Sequence, residues 1–244
     1  MPMTKLSVNV NKVTTLRNTR SVGYPSVLHA ARICLDAGAA GITVHPRPDQ
    51  RHIRPADVFE LAELLKKYPG REFNIEGNPF HEYVHFAEKV RPAQCTLVPD
   101  SPEASTSDHG WDLQREAARL PAVIEKLKSF GCRVSLFMDA TSKDIPLAKE
   151  IGADRIELYT ASYAEDFARS DALAANSYAA AACRAADCGL GVNAGHDLNL
   201  QNLTAFLRAV PNVLEVSIGH ALIGDALEWG LAETVRKYLA TISV

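Results

Sequence analysis

The chain has 244 residues, 47% of them hydrophobic, and its 26 basic and 29 acidic side chains give a formal net charge of −3. The charges are spread along the chain without a basic arm or stripe, which argues against nucleic acid as a partner. No run of eighteen apolar residues is present, so we expect no membrane-spanning helix, and residues 1–11 lack the basic-then-apolar order of a secretory signal.

Short β-rich segments alternate with longer segments of helical periodicity along the whole chain. Strands are predicted at residues 6–10, 41–45, 72–76, 94–99, 133–139, 155–160, 191–194 and 215–219. Helices are predicted at residues 26–37, 55–67, 79–90, 114–130, 143–151, 164–188, 200–210 and 221–239. Eight such units of about 30 residues predict one α/β domain, a (β/α)₈ TIM barrel, over residues 1–244. A doubly wound sheet normally has fewer strands, and no Gly-x-Gly-x-x-Gly follows the first strand.

The second predicted strand ends in an unusual group of ionisable residues, GITVHPRPDQRH at positions 41–52. In a TIM barrel the active site lies at the carboxyl ends of the strands, where His45, Arg47 and His52 would stand. Histidine titrates near neutral pH, arginine is a fixed cation suited to phosphate, and the two prolines restrict the backbone. A solvated loop is the alternative, but the strand-end position favours an enzyme.

The other strand ends carry further candidates. Glu76 ends the third strand, and it is either a general base with a raised pKa or a partner in a salt bridge. Glu157 in the sixth strand offers the same two alternatives, which the sequence leaves open. Asn9, Asn11 and Lys12 follow the first strand, and the polar loop after the fourth strand contains Thr106.

The ends of strands seven and eight predict a phosphate site. The segments NAGH (193–196) and SIGHALIG (217–224) bring glycine backbone close to a ligand, and the second leads into a helix N-terminus. Tight glycine turns without a ligand are the alternative. Arg20, in the segment LRNTR after strand one, is interpreted as a phosphate ligand rather than as part of a basic surface cluster.

Neither a metal site nor a disulfide framework is predicted. His81 and His85 stand four residues apart on a predicted helix, but no third ligand is in view, so we interpret them as a solvated surface. Five cysteines follow no disulfide or zinc spacing and stand in apolar surroundings, at positions 34, 95, 132, 183 and 188. We expect reduced, structural thiols in a cytoplasmic protein.

Eight segments occur in the order found in the pyridoxine 5′-phosphate synthase family, which closes the vitamin B6 ring in the deoxyxylulose-dependent pathway. They are NVNKVTTLRNTR, GITVHPRPDQRHI, NIEG, LVPD, VSLFMDA, IELYT, VNAGHDL and IGHALIG. The chain resembles this family over essentially its whole length. The resemblance implies a TIM barrel with additional helices that assembles as a homo-octamer built from dimers.

The implied reaction is of the transferase type. It condenses 3-amino-2-oxopropyl phosphate with 1-deoxy-D-xylulose 5-phosphate and releases pyridoxine 5′-phosphate, phosphate and water, with no cofactor or obligatory metal. The resemblance gives His45 and Glu76 as proton acceptors, His196 as proton donor and Glu157 as a stabiliser of the transition state. It assigns the aminoketone phosphate to Asn9, Arg20, Gly219 and His220, and the deoxyxylulose phosphate to Arg47, His52 and Thr106.

This chain departs from the family pattern at three places. Asn11 and Lys12 stand where an Asp-His pair contacts deoxyxylulose phosphate, and Asp197 replaces the glycine after the proton donor, beside the aminoketone-phosphate site. The loop after His45 reads Pro-Arg-Pro in place of Leu-Arg-Glu. Two alternatives therefore stay open, a divergent paralogue acting on another sugar phosphate and a catalytically weak protein that binds phosphates or B6 vitamers.

Overall fold

Eight parallel strands form the centre of the computed structural model, which describes residues 3–81, 83–104 and 106–243. The strands are β1 (Lys5–Asn9), β2 (Gly41–Val44), β3 (Glu72–Gly77), β4 (Gln94–Leu97), β5 (Arg133–Met138), β6 (Arg155–Tyr159), β7 (Gly191–Gly195) and β8 (Val213–Ile218). They close into a barrel in chain order, with β8 paired to β1. The TIM barrel is confirmed, and each strand lies within two residues of its predicted ends.

Helices surround the barrel and connect its strands. They are α1 (Asn11–Asn18), α2 (Val27–Asp36), α3 (Pro55–Leu65), α4 (Tyr83–Val90), α5 (Leu113–Glu116), α6 (Leu120–Ser129), α7 (Ile145–Glu150), α8 (Ala161–Ala168), α9 (Asn176–Asp187), α10 (Leu203–Ala209), α11 (His220–Trp229) and α12 (Leu231–Ile242). Among the described residues, no helix is long and apolar enough to cross a membrane.

The strands alternate between apolar and polar residues, which places the two sets on opposite faces. Leu6 and Val8 of β1 are apolar and fully buried, and they belong to the main hydrophobic core together with residues of the helices. Ser7, between them, belongs to the polar set, and its hydroxyl lies 2.7 Å from that of Thr43 on β2. The main core therefore lies between barrel and helices, and the barrel interior is polar.

Hydrogen bonds across the barrel connect several side chains of this polar interior. Gln94 of β4 donates to Glu215 of β8 (3.2 Å), and Asn193 of β7 donates to Gln94 (3.2 Å). Thr96 donates to Asn74 at 3.1 Å. Because buried polar groups are costly unless they are paired, this network holds the barrel in one arrangement beneath its carboxyl-terminal end.

Three predicted helices are wrong as single elements, because the structure divides each of them into two. The prediction at 114–130 is divided into α5 and α6, because Pro121 lies in the first turn of α6, where it can start a helix but cannot continue one. The prediction at 164–188 is divided into α8 and α9. Between them Ser170 adopts a left-handed backbone with φ of 61°, which ends the first helix.

The prediction at 221–239 also covers two helices, because Gly230, with φ of 75°, separates α11 from α12. Of the predicted helix at 79–90, the described residues give α4 over Tyr83–Val90, and His81 lies in a turn, so it does not share a helix face with His85. One cysteine also differs from expectation, since Cys183 is exposed, whereas Cys34, Cys95 and Cys132 are buried.

Helix α1 was not predicted, because its sequence NKVTTLRN contains β-branched and asparagine residues of low helix propensity. Tertiary contacts stabilise it instead. Arg17 is buried and makes a bidentate pair with Asp57 of α3, at 2.5 and 2.9 Å. This pair orients α1 so that its first turn, with Asn11 and Lys12, lines the mouth of the barrel.

Candidate active site

A cavity of about 390 Å³ opens at the carboxyl-terminal end of the barrel. Nearly all the residues proposed from the sequence line it. They are Asn9, Asn11, Lys12, His45, Arg47, His52, Glu76, Thr106, Glu157, His196, Asp197, Gly219 and His220. A volume of this size suits small ligands that are held by a few polar groups.

His45 stands at the end of β2, and its main chain is held by the first residue of α1. The backbone N–H of His45 donates to Asn11 Oδ1 at 3.0 Å, and the N–H of Asn11 donates to Asn9 Oδ1 at 3.0 Å. Burial, with the positive charges of Arg47 and its neighbours, lowers the pKa of His45 well below 6.5. The imidazole is therefore neutral near pH 7 and able to accept a proton.

Glu76 lies beside His45, with Oε2 4.0 Å from His45 Nδ1. The side chain is only 12% exposed and accepts a hydrogen bond from Asn9 Nδ2 at 3.3 Å. Burial, followed by the charges of Asp100 and Glu215, raises the pKa of Glu76 to about 8. A carboxyl group with this pKa can both hold and release a proton near neutral pH.

Arg47 is buried and pairs with Asp100, which follows β4. Ser107 donates to the same oxygen, Asp100 Oδ2, at 2.7 Å, and His45 Nε2 lies 3.9 Å from it. The other oxygen, Oδ1, is buried without a protein partner. Asp100 thus lies beside both Arg47 and His45, two residues that follow strand β2. Asp100 closes the segment LVPD, but an aspartate after a strand carries no specific signal in the sequence, so it was not predicted as a site residue.

His52 packs edge-on against His45, with ring centroids 6.0 Å apart. Burial, with the charges of Arg47, Lys12 and Arg51, lowers the pKa of His52 to about 4. Its Nδ1 accepts the backbone N–H of Ile53 at 3.0 Å, so the other ring nitrogen carries the proton and can donate to a ligand oxygen.

Glu157 is 4% exposed and reaches the floor of the cavity from β6. Burial, with the nearby Glu76 and Glu215, raises the pKa of Glu157 well above its usual range. Burial therefore favours the protonated, uncharged form of this carboxyl. Gly195 leaves room for it, because a Cβ at residue 195 would lie 2.7 Å from Glu157 Oε1.

His196 occupies a strained turn after β7, on the side of the cavity opposite β3. Its Nδ1 lies 3.0 Å from Asp197 Oδ2, and its Nε2 lies 3.1 Å from Thr106 Oγ1. The ring also packs edge-on against Tyr159, with centroids 4.9 Å apart. The loop after β4 and the turn after β7 thus meet over the cavity through one histidine.

The predicted phosphate turn lies where β8 passes into α11. Gly219 precedes the first residue of that helix, His220, and packs closely against Asn9. N–H groups at the start of a helix lack intrahelical partners and attract anions. Ser217, just before the turn, is buried and faces Glu76, whose pKa its hydroxyl helps to lower. Sequence reasoning missed Ser217, because a serine near a strand end is common.

Arg20 is the proposed site residue that the structure does not bring to the cavity. It follows α1 and is exposed, and the cavity lining does not include it. Its contact with a phosphate stays a prediction. Within the described residues there is no group of three or more His, Cys, Asp or Glu side chains that could hold a metal ion.

The chain is similar to known proteins over nearly its whole length. The family model "Pyridoxal phosphate biosynthesis protein PdxJ" matches residues 6–244. Relatives named pyridoxine 5′-phosphate synthase include one from Albidiferax ferrireducens, which is 55% identical with 98% of each chain covered. Another, from Xanthomonas campestris, is 54% identical, with 98% of this chain and 96% of the relative covered.

Solved structures resemble the chain in fold alone. A tryptophan synthase structure from M. tuberculosis has 10% identity and a TM-score of 0.66, covering 99% of this chain and 94% of that one. The 3-keto-L-gulonate-6-phosphate decarboxylase of Vibrio cholerae has 10% identity and a TM-score of 0.64, covering 99% and 97%.

Proposed function

Because the chain belongs to the PdxJ family of pyridoxal phosphate biosynthesis proteins, we propose that it catalyses the pyridoxine 5′-phosphate synthase reaction. The substrates are 3-amino-2-oxopropyl phosphate and 1-deoxy-D-xylulose 5-phosphate. The products are pyridoxine 5′-phosphate, inorganic phosphate and water. The enzyme is a ring-closing synthase of the transferase type.

One observation carries the proposal, the pairing of His45 and Glu76. Two proton carriers stand 4.0 Å apart in a cavity that cationic and amide-rich groups also line. A condensation between an amine and a ketone expels water, so the nitrogen must lose protons while the leaving hydroxyl gains one. A protein that only binds phosphates needs no such pair. The arrangement therefore favours an enzyme over a binding protein.

The proton carriers divide into acceptors and a donor. His45, neutral in its buried setting, and Glu76, once ionised, accept protons from the condensing substrates. His196 donates a proton from the other side of the cavity. Burial favours the protonated form of Glu157, because it raises the pKa of this carboxyl well above the usual range. It stabilises developing negative charge by donating a hydrogen bond, as a preorganised dipole does.

Two anion-binding regions flank these groups. The Gly219–His220 turn and Asn9 bind the phosphate of the aminoketone, with Arg20 as a further ligand. Arg47, His52 and Thr106, joined by Asn11 and Lys12, bind deoxyxylulose phosphate. Guanidinium and helix N-terminal amides are the groups that recognise phosphate most often.

We also propose an oligomeric state and a cellular location for the protein. Three large apolar side chains are exposed at and after the end of α1, namely Leu16 (56%), Val22 (64%) and Tyr24 (77%). They support a homo-oligomer, which we propose to be an octamer built from dimers, and sedimentation velocity should give the mass of eight chains. The unpaired cysteines support a cytoplasmic location, where thiols stay reduced.

The test of function is a direct assay. The purified protein is incubated with both substrates, and pyridoxine 5′-phosphate and inorganic phosphate are measured together. Both should appear in equal amounts and only when both substrates are present. If inorganic phosphate binds in calorimetry but no pyridoxine 5′-phosphate forms, the protein is instead a paralogue with another sugar phosphate or a binding protein.

A further inference from the structure

The two ring nitrogens of His196 have different partners. Nδ1 faces a carboxylate oxygen, Asp197 Oδ2, at 3.0 Å, and Nε2 faces the hydroxyl of Thr106 at 3.1 Å. A carboxylate can only accept, so Nδ1 carries a hydrogen whenever this bond is made. The proton that His196 exchanges with a ligand is therefore the one on Nε2, which faces Thr106, another residue of the cavity lining.

The backbone of this turn is one that usually calls for glycine. His196 and Asp197 both have positive φ, 85° and 58°, where a side chain introduces strain. Thr160 holds the turn by donating to the carbonyl oxygens of Gly195 and His196, and Asn202 Nδ2 donates to the carbonyl of Asp197 at 3.1 Å. Glycine at residue 197 would relieve this strain. We therefore expect the aspartate side chain to make a contact that offsets it.

The charges around Asp197 keep it ionised. Its hydrogen bond with His196, with the charges of His220 and Lys12, lowers the pKa of Asp197. His220 comes from the first turn of α11 and Lys12 from the first turn of α1. An anion beside a proposed phosphate site would otherwise repel the ligand, and these neighbours offset that repulsion.

We propose that Asp197 is the positioning residue of His196: its carboxylate holds Nδ1–H, fixes the orientation of the ring and keeps Nε2 turned toward the substrates. This inference rests on the proposed function, in which His196 donates a proton. Asp197 acts through the imidazole and does not itself need to touch the substrate. The arrangement follows the general logic of a histidine oriented by a carboxylate.

The test compares Asp197→Asn and Asp197→Gly with the wild type, and Asp187→Asn on the exposed face of α9 serves as a matched control. Glycine fits the left-handed backbone, so its variant should fold. We expect kcat to fall about 10- to 100-fold in the glycine variant and less in the asparagine variant. This is below the roughly 10²–10⁴-fold contribution of a proton donor itself. KM for the aminoketone phosphate should not rise, because an anion has been removed from beside its phosphate.

A second measurement does not depend on activity. Solid-state ¹⁵N NMR of protein labelled in histidine rings distinguishes protonated from unprotonated nitrogens, and His196→Asn identifies the signals. In wild-type protein Nδ1 of His196 should be protonated, and the glycine variant should lose that preference. Unchanged nitrogen signals with unchanged kcat would overturn the inference while leaving the synthase function intact. Absence of product from the wild type would instead count against the function.

Discussion

His45 Nδ1 lies 4.0 Å from Glu76 Oε2, and burial changes the proton affinity of these two groups in opposite directions. It lowers the pKa of the imidazole and raises that of the carboxyl to about 8. Near pH 7 both groups are therefore mostly uncharged, which avoids a buried charge on either strand end. A charged substrate in the cavity changes the proton affinities of both groups. His45 and Glu76 can therefore exchange protons when substrates bind.

Replacing Glu76 by glutamine should preserve binding and remove turnover. Glutamine keeps the shape of the side chain but cannot take up a proton, so kcat should fall roughly 10²–10⁴-fold. Calorimetry with inorganic phosphate should give nearly the wild-type Kd. Glu88→Gln, on an exposed position of α4, is the control and should not change either value. Wild-type turnover in Glu76→Gln would remove this residue from the mechanism.

The pH dependence of the wild-type enzyme should report the same group. Since the acceptor form of Glu76 is the carboxylate and its pKa is raised to about 8, kcat/KM should increase with pH as this proton is lost. The increase should have its midpoint near that pKa and be absent in Glu76→Gln. A profile that stays flat between about pH 7 and pH 9 would show that Glu76 does not act in its ionised form.

The barrel could be predicted from the sequence because its strands alternate in polarity and are separated by helical periodicity. Helix α1 could not be predicted, because its sequence has a low helix propensity. It is held instead by the Arg17–Asp57 pair, a contact between residues far apart in the chain. The same reason applies to Asp100, whose importance lies in its pair with Arg47 and its distance from His45. Motifs located the functional residues, but their protonation states depend on burial, which sequence does not reveal.

Acid should destabilise the protein partly through His52. Its pKa is 6.5 when unperturbed and about 4 in the fold, so between these values the unfolded chain binds more protons than the folded one. The stability that His52 contributes is complete above pH 6.5 and is lost as the pH falls toward 4. By linkage this amounts to up to about 3 kcal/mol.

Urea unfolding at a series of pH values checks this expectation. His52→Gln should show a shallower loss of stability over the same pH range than the wild type does. His29→Gln, an exposed position on α2, is the matched control and should follow the wild-type curve. If His52→Gln also follows it, the acid sensitivity arises from other groups.

The turn at Gly219 should bind a phosphate. A Cβ at residue 219 would lie 3.0 Å from Asn9 Cβ, so Gly219→Ala should displace Asn9 and raise the Kd for inorganic phosphate about tenfold, the effect of losing one good hydrogen bond to an anion. Gly224→Ala, in the helix α11 that follows the turn, is the control because its Cβ would meet nothing within 4 Å. A crystal structure with phosphate in solution but only water at this turn would contradict the assignment.

Asn11 and Lys12 stand where the resemblance to the family implies an Asp-His pair. Both line the cavity, and the charge of Lys12 contributes to lowering the pKa of His52, a proposed ligand of deoxyxylulose phosphate. Lysine offers three donors and a charge that persists at neutral pH. Asn11 Oδ1 accepts the backbone N–H of His45, a bond that aspartate can also make. The double change Asn11→Asp, Lys12→His should therefore leave the fold and His45 in place.

If deoxyxylulose phosphate is the substrate, this double variant should retain or improve kcat/KM for it, because it restores the family's contacts. If the chain uses another sugar phosphate, the variant should lose activity on that compound and gain synthase activity from a very low level. Thr15→Ser, a conservative change one turn further along α1 at a residue that also lines the cavity, controls for disturbance of the helix. The measurement is kcat/KM for deoxyxylulose phosphate in all three proteins, together with a ligand-bound structure. Kinetics indifferent to the double change, with Lys12 directed into bulk solvent beside the bound ligand, would show that this lysine has no part in recognising the second substrate.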